Sequence, residues 1–370
     1  MEVSDLELNF PRLSMTFSLV EFIPKEASED LWETYFTLSE TIFREDNKKD
    51  RLPDRGALRG FLSTSNSLYQ VKRWMLLDKV EGAIASGWIS YDTESSPDYA
   101  INEHLCQIRI AVAPAYRRKK IATCLLKHVN ATASLMGRSI VMAEVDNALA
   151  IGFCKSLQGE LVHEETQYRL SMEDVDWPRV ERWLEKGRTK SGEIEIELFQ
   201  ECPESDIDEF TKVYTEIINQ RPTGGMEQQL STTPESRRIE ERNLKRRGIE
   251  WYTMISREHS GQISGVTDIM YNPEEPHRIK QYFTGVLGKY RKRGLAKRLK
   301  AEMLVVIRRE FPNVEYVTTN TARINLPMRS VNKRLGFLPR KDLSIYQWAL
   351  GDLRERVDEV LSGVECSWEG

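Results

Sequence analysis

The hydrophobic and polar positions of this chain predict one series of elements twice. Four stretches in the first half alternate and are predicted as strands, at 16–23, 70–77, 82–91 and 104–112. Apolar residues at four-residue spacing, Ile121, Leu125 and Val129, then predict a helix with one buried face. From Glu193 the same order returns: strand, two helices, three strands, helix, strand, helix, strand.

The clearest repeat lies where the fourth strand of each series gives way to a helix. Residues 112–122 read VAPAYRRKKIA and residues 286–296 read VLGKYRKRGLA, so adding 174 to each number of the first gives the second. A repeat at this scale indicates two copies of one domain rather than a solenoid. We therefore predict five segments: an N-terminal arm at 1–14, a first domain at 15–171, a connector at 172–192, a second domain at 193–351 and a C-terminal tail at 352–370.

The turn at 291–296, reading RKRGLA, is the main candidate for ligand binding. It opens directly into the predicted helix, so it presents unpaired backbone N–H groups and the positive end of the helix dipole. Gly294 permits a positive φ and a close approach of the backbone to a ligand. Arg291, Lys292 and Arg293 add positive charge. These features suit a diphosphate.

The pattern VxxxYRxxGxA at 286–296 resembles the acyl-coenzyme A signature of the GNAT superfamily of N-acyltransferases. The resemblance implies that this segment, with Val286, Leu295 and Ala296, holds coenzyme A and that the strand before it splays to admit the thioester. It implies an α/β (α+β) fold of two tandem GNAT domains, each a mixed, mostly antiparallel twisted sheet flanked by helices. The layout is similar to that of actinobacterial tandem acetyltransferases such as mycothiol synthase. The implied reaction is transfer of an acetyl group from acetyl-CoA to a primary amine of a small molecule or peptide, by direct attack in a ternary complex.

Residues 325–337, NLPMRSVNKRLGF, resemble the second signature of the family, a helix that borders the pantetheine arm. Many members carry there a tyrosine that hydrogen-bonds the departing sulfur. Asn332 holds that position here; its amide can donate a hydrogen bond but cannot act as an acid. Asn325 has two compatible interpretations, a helix cap and a cofactor contact.

Direct transfer needs a base, because a primary amine has a pKa of about 10 and is protonated at neutral pH. We predict Asp268 in that role, since it interrupts an apolar and β-branched run on a strand that borders the acceptor cleft in related folds. The alternative is that Asp268 faces solvent on the outer side of the sheet. The developing oxyanion needs a donor, for which we predict the backbone N–H near Val286.

Two further residues are predicted beside the thioester, Tyr282 in a catalytic role and Gln281 in a substrate-binding role, and one is predicted beside the acceptor. Gln281 and Tyr282 are adjacent on a strand, so only one of them lines the cleft, and Tyr282 is expected to share a face with Thr284. Arg221 lies in a loop where the family builds acceptor specificity. It either pairs with a substrate carboxylate or is a surface charge.

The first copy departs from the pattern. Lys120 replaces the glycine of the turn, Cys154 holds the position often given to tyrosine, and aligning the third strands places Trp88 opposite Asp268. We therefore expect the first domain to be a degenerate, structural or regulatory copy and the second to be catalytic.

Composition narrows the alternatives. A net charge of −4 argues against a dedicated nucleic-acid binder, and the basic clusters coincide with the repeated turn. The five cysteines and five histidines show no metal-ligand spacing, and the cysteines show none of the pairing typical of secreted proteins. The N-terminus lacks an apolar signal region and no run is long enough to span a membrane, so we expect a cytoplasmic protein. The remaining alternative is a GNAT-fold protein that binds acyl-CoA, or a partner, without turnover.

Overall fold

The computed structural model describes residues 3–10, 13–48, 50–191, 194–226 and 228–369. The chain forms two compact units. Unit 1 comprises Met1–Val162 and Ser344–Gly370, and unit 2 comprises His163–Leu343.

The elements follow the predicted order, with additions at both ends. The first series is β1 Val3–Phe10, β2 Leu13–Glu21, α1 Glu29–Asp46, α2 Arg55–Ser63, β3 Tyr69–Asp78, β4 Gly82–Asp92, α3 Tyr99–Asn102, β5 Leu105–Val112, α4 Ile121–Leu135, β6 Ile140–Val145, α5 Ala148–Ser156 and β7 Glu160–Ser171. The second series is α6 Trp177–Ser191, β8 Glu195–Phe199, α7 Ile207–Asn219, α8 Pro234–Arg246, β9 Glu250–Arg257, β10 Ile263–Tyr271, β11 Arg278–Val286, α9 Leu295–Glu310, β12 Tyr316–Ala322, α10 Leu326–Leu335 and β13 Leu338–Ala349. The chain continues with α11 Leu350–Leu361 and β14 Glu365–Glu369.

Each unit is built on one sheet of mostly antiparallel strands. The strand order in unit 1 is β14-β1-β2-β3-β4-β5-β6-β13, and that in unit 2 is β7-β12-β11-β10-β9-β8. One parallel contact occurs at equivalent places, β5 with β6 and β11 with β12. This mixed α/β architecture confirms the predicted fold class.

The closing strands divide differently from the predicted domain boundaries. β7, predicted to end the first domain, pairs in unit 2 with β12 from Glu165 to Ser171. β13, predicted to end the second domain, pairs in unit 1 with β6 from Ser344 to Ala349. Periodicity shows that a segment is extended, but every sheet edge offers the same unpaired backbone groups, so the pattern alone does not choose an edge. The predicted arm carries β1, the connector carries α6, and the tail carries most of α11 with β14.

The helices that follow the two turns bury the faces that their spacing predicts. In α9, Leu299, Met303 and Ile307 are at most 1% exposed, and they pack with residues of β10 and β11. In α4, the residues at the same spacing are equally buried against β4 and β5. Packing of each apolar face against the sheet therefore holds the N-terminus of the helix close to the end of the preceding strand. Among the described residues, no helix is both long and apolar enough to cross a bilayer.

Candidate active site

The site in unit 2 begins where two parallel strands part. β11 pairs with β12 from Arg278 to Lys280, and no further pair joins them in the described ladder. β11 continues to Val286, while β12 pairs with β7 on its other side. The edge of β11 from Gln281 onward therefore turns its backbone groups toward a gap, where an extended ligand can hydrogen-bond.

A β-bulge lies at the start of this gap. Asp268 of β10 pairs with Phe283 and the next residue, Ile269, pairs with Gln281, so Tyr282 is an extra residue on β11. Bulges bend the strand and redirect side chains, and they are frequent beside active sites. The bulge corrects the expectation that Tyr282 shares a face with Thr284. Thr284 instead joins Gln281 on the α9 face, because both hydrogen-bond Thr267.

The basic turn follows at the end of β11. Lys292 has φ 67° and Gly294 has φ 86°, and the helix begins at the next residue, so the first-turn amides of α9 point out of the turn. A Cβ at Gly294 would meet no heavy atom within 4 Å, so the space above this backbone is open. An anion could reach these amides without moving a side chain.

The three basic side chains of the turn differ in how far their charge is compensated. Arg291 donates to the Val286 carbonyl at 3.2 Å and to the neutral amide oxygen of Gln220 at 2.5 Å. Arg293 donates to both carboxylate oxygens of Glu258 at 2.9 and 3.0 Å. Arg291 and the exposed Lys292 thus offer more charge to a phosphate than Arg293 does.

Two apolar residues of the predicted cofactor segment hold the turn in place. Val286 and Leu295 are buried in one small cluster with Ile194, and Ala296 packs against it. Their side chains position the backbone of the turn rather than facing a ligand.

The predicted base, Asp268, lies on the α7 face of the sheet and is fully buried. This excludes the alternative that it faces solvent. Its Oδ2 accepts a hydrogen bond of 2.9 Å from the hydroxyl of Tyr214 on α7. Burial raises the pKa of Asp268, although Arg237, Thr253 and Tyr214 oppose the shift.

A buried cation lies beside this carboxylate. Arg237 of α8 is 1% exposed and donates to Glu241 at 2.7 Å and to Thr253 at 3.0 Å. Its guanidinium stacks over the Trp251 ring, 3.5 Å from the centroid. The polar groups under α7 and α8 therefore form one connected network that includes Asp268.

Tyr282 and Arg221 extend this network toward the surface. Tyr282 is 45% exposed and lies near Tyr214. The pKa of Tyr214 is raised mainly by burial, next by the charge of Asp268 and then by Tyr282. Burial of its hydroxyl raises the pKa of Tyr282, and the nearby charge of Arg221 opposes the shift. The Arg221 guanidinium lies 5.6 Å from the Phe283 ring centroid and is also close enough to Glu165 to lower the pKa of that carboxylate.

Gln281 is buried on the opposite, α9 face. Its Oε1 accepts from Lys300 Nζ at 2.5 Å and its Nε2 donates to Thr267 at 3.2 Å. Lys300 is 2% exposed, and burial lowers its pKa to about 7. Gln281, predicted to contact the acceptor, is thus on the other side of the sheet from Asp268.

The second signature forms a capped helix. Asn325 Oδ1 accepts from the Met328 amide at 3.2 Å, so Asn325 is a helix cap, and its NH₂ group is left for other contacts. Asn332 is fully buried and donates to Thr321 of β12 at 3.0 Å. Its Oδ1 has no hydrogen-bond partner within the described residues.

The equivalent turn of unit 1 has the same backbone but different contacts. Arg118 and Lys120 have φ 64° and φ 60°, and Arg117 donates to the Val112 carbonyl at 3.0 Å. The guanidinium of Arg117 is held by both oxygens of Glu45, each at 2.5 Å.

The strands and the second helix of unit 1 differ as well. β4 and β5 pair one to one from Ala85–Val112 to Ser90–Gln107, without a bulge, and Trp88 occupies the register position that Asp268 has in β10. Burial raises the pKa of Cys154 to about 12, so this thiol is protonated at neutral pH.

The buried polar residues Tyr214, Arg237 and Lys300 of unit 2 were not predicted from the sequence. Tyr214 and Arg237 lie on predicted helices, but nothing in the periodicity shows that these helices face Asp268. Lys300 did carry a signal, because it lies in the apolar stripe of α9, three residues before Met303 and seven before Ile307.

The comparisons with known proteins bear on family and fold. The acetyltransferase (GNAT) family model matches residues 29–159, which lie in unit 1. No curated protein matches the chain.

Three similar solved structures span nearly the whole chain. A tandem GNAT protein from the clavulanic acid biosynthesis pathway, solved without AcCoA, is 17% identical over 90% of this chain and 99% of that chain, with a TM-score of 0.72. A GCN5-related N-acetyltransferase from Sphaerobacter thermophilus is 13% identical over 92% and 97%, with a TM-score of 0.63. Saccharomyces cerevisiae N-myristoyltransferase with bound myristoyl-CoA is 11% identical over 90% and 78%, with a TM-score of 0.54.

These identities concern the fold, while the family match rests on the first copy of the repeat. Both agree with the two signatures and with the division of the chain into two units. Residues 29–159 match the GNAT acetyltransferase family, and the chain has the fold of a tandem GNAT protein.

Proposed function

We propose that this protein is an acetyl-CoA-dependent N-acetyltransferase whose catalytic centre lies in unit 2. The observation that carries the proposal is the continuous path along β11. The gap beside β12 and the bulge at Tyr282 lie on β11, and the open turn at Gly294 follows the end of that strand. Such a path suits a long ligand with a reactive thioester at one end and phosphates at the other.

The residues of the turn have separable roles in this proposal. Arg291 and Lys292 neutralise the pyrophosphate, the amides from Gly294 to Ala296 donate to it, and Arg293 adds charge that Glu258 partly cancels. Backbone N–H groups on the free edge of β11 serve the thioester oxygen. The uncommitted NH₂ group of Asn325 contacts the pantetheine arm.

The acceptor amine approaches from the α7 face, where Asp268 lies. Because Tyr214 donates to Asp268, we propose that its hydroxyl relays the proton: Tyr214 takes the proton of the amine as its own passes to Asp268. The raised pKa of Asp268 favours this acceptance. Tyr282 shapes the wall of this pocket, and Arg221 pairs with a carboxylate of the acceptor.

Calorimetric titration with acetyl-CoA tests the proposal. We expect one site per chain, lost in the double variant R291A/G294K and kept in R117A/K120A, its counterpart in unit 1. Binding should be accompanied by acetylation of a panel of primary amines, followed as release of the coenzyme A thiol. Binding without turnover of any amine would favour the non-catalytic alternative. A site that depends on Arg117 would place the function in unit 1.

A further inference from the structure

A buried lysine lies at the thioester end of the β11 gap. Lys300 projects from α9, and its Nζ lies 2.5 Å from Gln281 Oε1 and 5.1 Å from the centroid of the Phe337 ring. Gln281 is the first residue of β11 beyond its last pair with β12, and Phe337 comes just after Gly336, the C-cap of α10. The amine therefore lies between the two elements that flank the proposed pantetheine path.

Within the described residues, no anionic group pairs with this amine. The partners found for it are an amide oxygen and an aromatic ring, neither of which ionises, and burial is the cause of its lowered pKa. Burying an amine this deeply opposes folding whenever the amine is charged. A polar residue that breaks the pattern of a core at such a cost marks a candidate functional position.

The other copy of the repeat shows that the fold does not require this lysine. Subtracting 174 from 300 gives Leu126, which lies at the same place in α4 and is 2% exposed. Gln281 pairs with Ile269, and the equivalent residue of β4, Ile89, pairs with Ile108, so the bulge places the buried Ile108 at the position of Gln281. One copy thus fills the position with a leucine, and the copy with the open turn fills it with an amine bound to a buried glutamine.

We propose that the protonated form of Lys300 supplies positive charge to the thioester end of the gap and stabilises the coenzyme A thiolate as the C–S bond breaks. This inference rests on the proposed function. The amine nitrogen of the acceptor forms the new C–N bond, and the electron pair of the C–S bond goes to sulfur. The acceptor's proton leaves through Asp268, and the thiolate takes a proton from solvent on release. Lys300 acts on sulfur through its charge and forms no covalent bond in this scheme.

The position of Asn332 explains why such a charge is needed. The residue stands where many relatives are expected to carry a tyrosine, and it already donates to Thr321. An amide cannot protonate a leaving thiolate, so charge must be compensated in another way.

The test compares Lys300→Met with the matched control Leu126→Met. We expect K300M to lower kcat at least tenfold while the KM for acetyl-CoA changes less than threefold, and L126M to change neither. Coenzyme A bound to the wild-type protein at pH 7, where Lys300 is partly protonated, should show the ultraviolet absorbance of a thiolate, and bound to K300M it should not. This spectroscopic readout does not depend on turnover.

Stability supplies a second readout. Lysine ordinarily has a pKa of 10.5, so between about pH 7 and 10.5 the unfolded chain binds a proton at Lys300 that the folded chain does not. Wild-type stability should therefore rise with pH in this window relative to K300M. K300M should be at least as stable as wild type at pH 7.

The outcomes separate the two proposals. If K300M keeps its kcat and its thiolate absorbance, the inference about Lys300 fails while the acetyltransferase stands. If K300M does not fold, the lysine serves stability and the inference fails as well. If the wild-type protein binds neither acetyl-CoA nor coenzyme A, the proposed function itself fails.

Discussion

The two turns of this chain share a backbone and differ in what surrounds it. In both, an arginine donates to the carbonyl of the valine five residues before it, and two residues adopt positive φ. Lys120 holds φ 60° where Gly294 holds φ 86°, so a lysine tolerates the conformation that usually favours glycine. The conformation alone therefore does not identify the binding copy.

The difference lies in charge and access. The arginine of unit 1 is neutralised by Glu45, and that of unit 2 faces the amide of Gln220. The side chain of Lys120 reaches the Val360 carbonyl of α11 at 2.9 Å, whereas the space over Gly294 is open. A phosphate would have to displace a carboxylate in the first case and nothing charged in the second.

The family match lies in unit 1, although the open turn lies in unit 2. The core of unit 1 is intact, since α4, β4 and β5 pack their apolar residues in one cluster. A few side chains at the turn decide whether a phosphate can bind there. Overall similarity and site integrity are thus separate properties of the two copies.

The largest expected effect concerns the base of unit 2. We predict that Asp268→Asn lowers kcat by about 100-fold or more, since general base catalysis is worth about 100- to 10,000-fold. Activity of the wild type should fall as pH drops through the raised pKa of Asp268, because the protonated carboxyl accepts no proton. Acetyl-CoA affinity should be unchanged, as measured by calorimetry.

The control is Trp88→Phe, which changes the same register position in unit 1. It should leave kcat unchanged. A D268N protein that turns over normally would remove Asp268 as the base. One that is markedly less stable would show that the carboxylate mainly holds the network around Tyr214 and Arg237.

Short-range patterns in the sequence predicted the helices, strands and turns. The features that depend on contacts between distant segments could not be predicted from them. The stripe in α9 and the motif at 286–296 are local, so the helix, the strand and the turn could all be predicted. The bulge at Tyr282 depends on pairing with β10, and one extra residue reverses which neighbours share a face. The pairing of β7 with β12 and of β13 with β6 also depends on contacts between segments that are distant in the sequence.

The same limit applies to the site. A sequence motif identified Arg291 and Gly294. No motif identified Tyr214 and Arg237, because their helices approach Asp268 only in the folded chain. Lys300 could have been found by comparing the two copies position by position, since it breaks an apolar stripe that Leu126 continues.

A swap at the turn gives the second prediction. Gly294→Lys should weaken acetyl-CoA binding about tenfold or more, because the side chain then stands where a phosphate would approach. The free energy of unfolding should fall by only about 1 to 2 kcal/mol, the cost of a left-handed residue, as measured by denaturant titration.

The reciprocal change, Lys120→Gly, should not create a second site by itself, because Glu45 still neutralises Arg117. The pair E45Q/K120G removes both obstacles and should add a weak site. Full affinity in G294K would mean that access above the turn is irrelevant and that the comparison of the two copies rests on the arginines alone.

The smallest expected effect lies one residue before Val286. A Cβ at Gly285 would lie 2.0 Å from Ile217 Cγ2, so Gly285→Ala must push α7 away from β11. Overpacking of this kind costs about 1 to 3 kcal/mol.

The equivalent position of unit 1 is Ala111, and A111G should change stability by no more than about 1 kcal/mol, the usual penalty of a strand glycine. Because α7 also carries Tyr214, G285A should lower kcat by a larger factor than it lowers the affinity for acetyl-CoA. Equal losses in both would indicate that the displaced helix acts on the whole cleft and not on the contact between Tyr214 and Asp268.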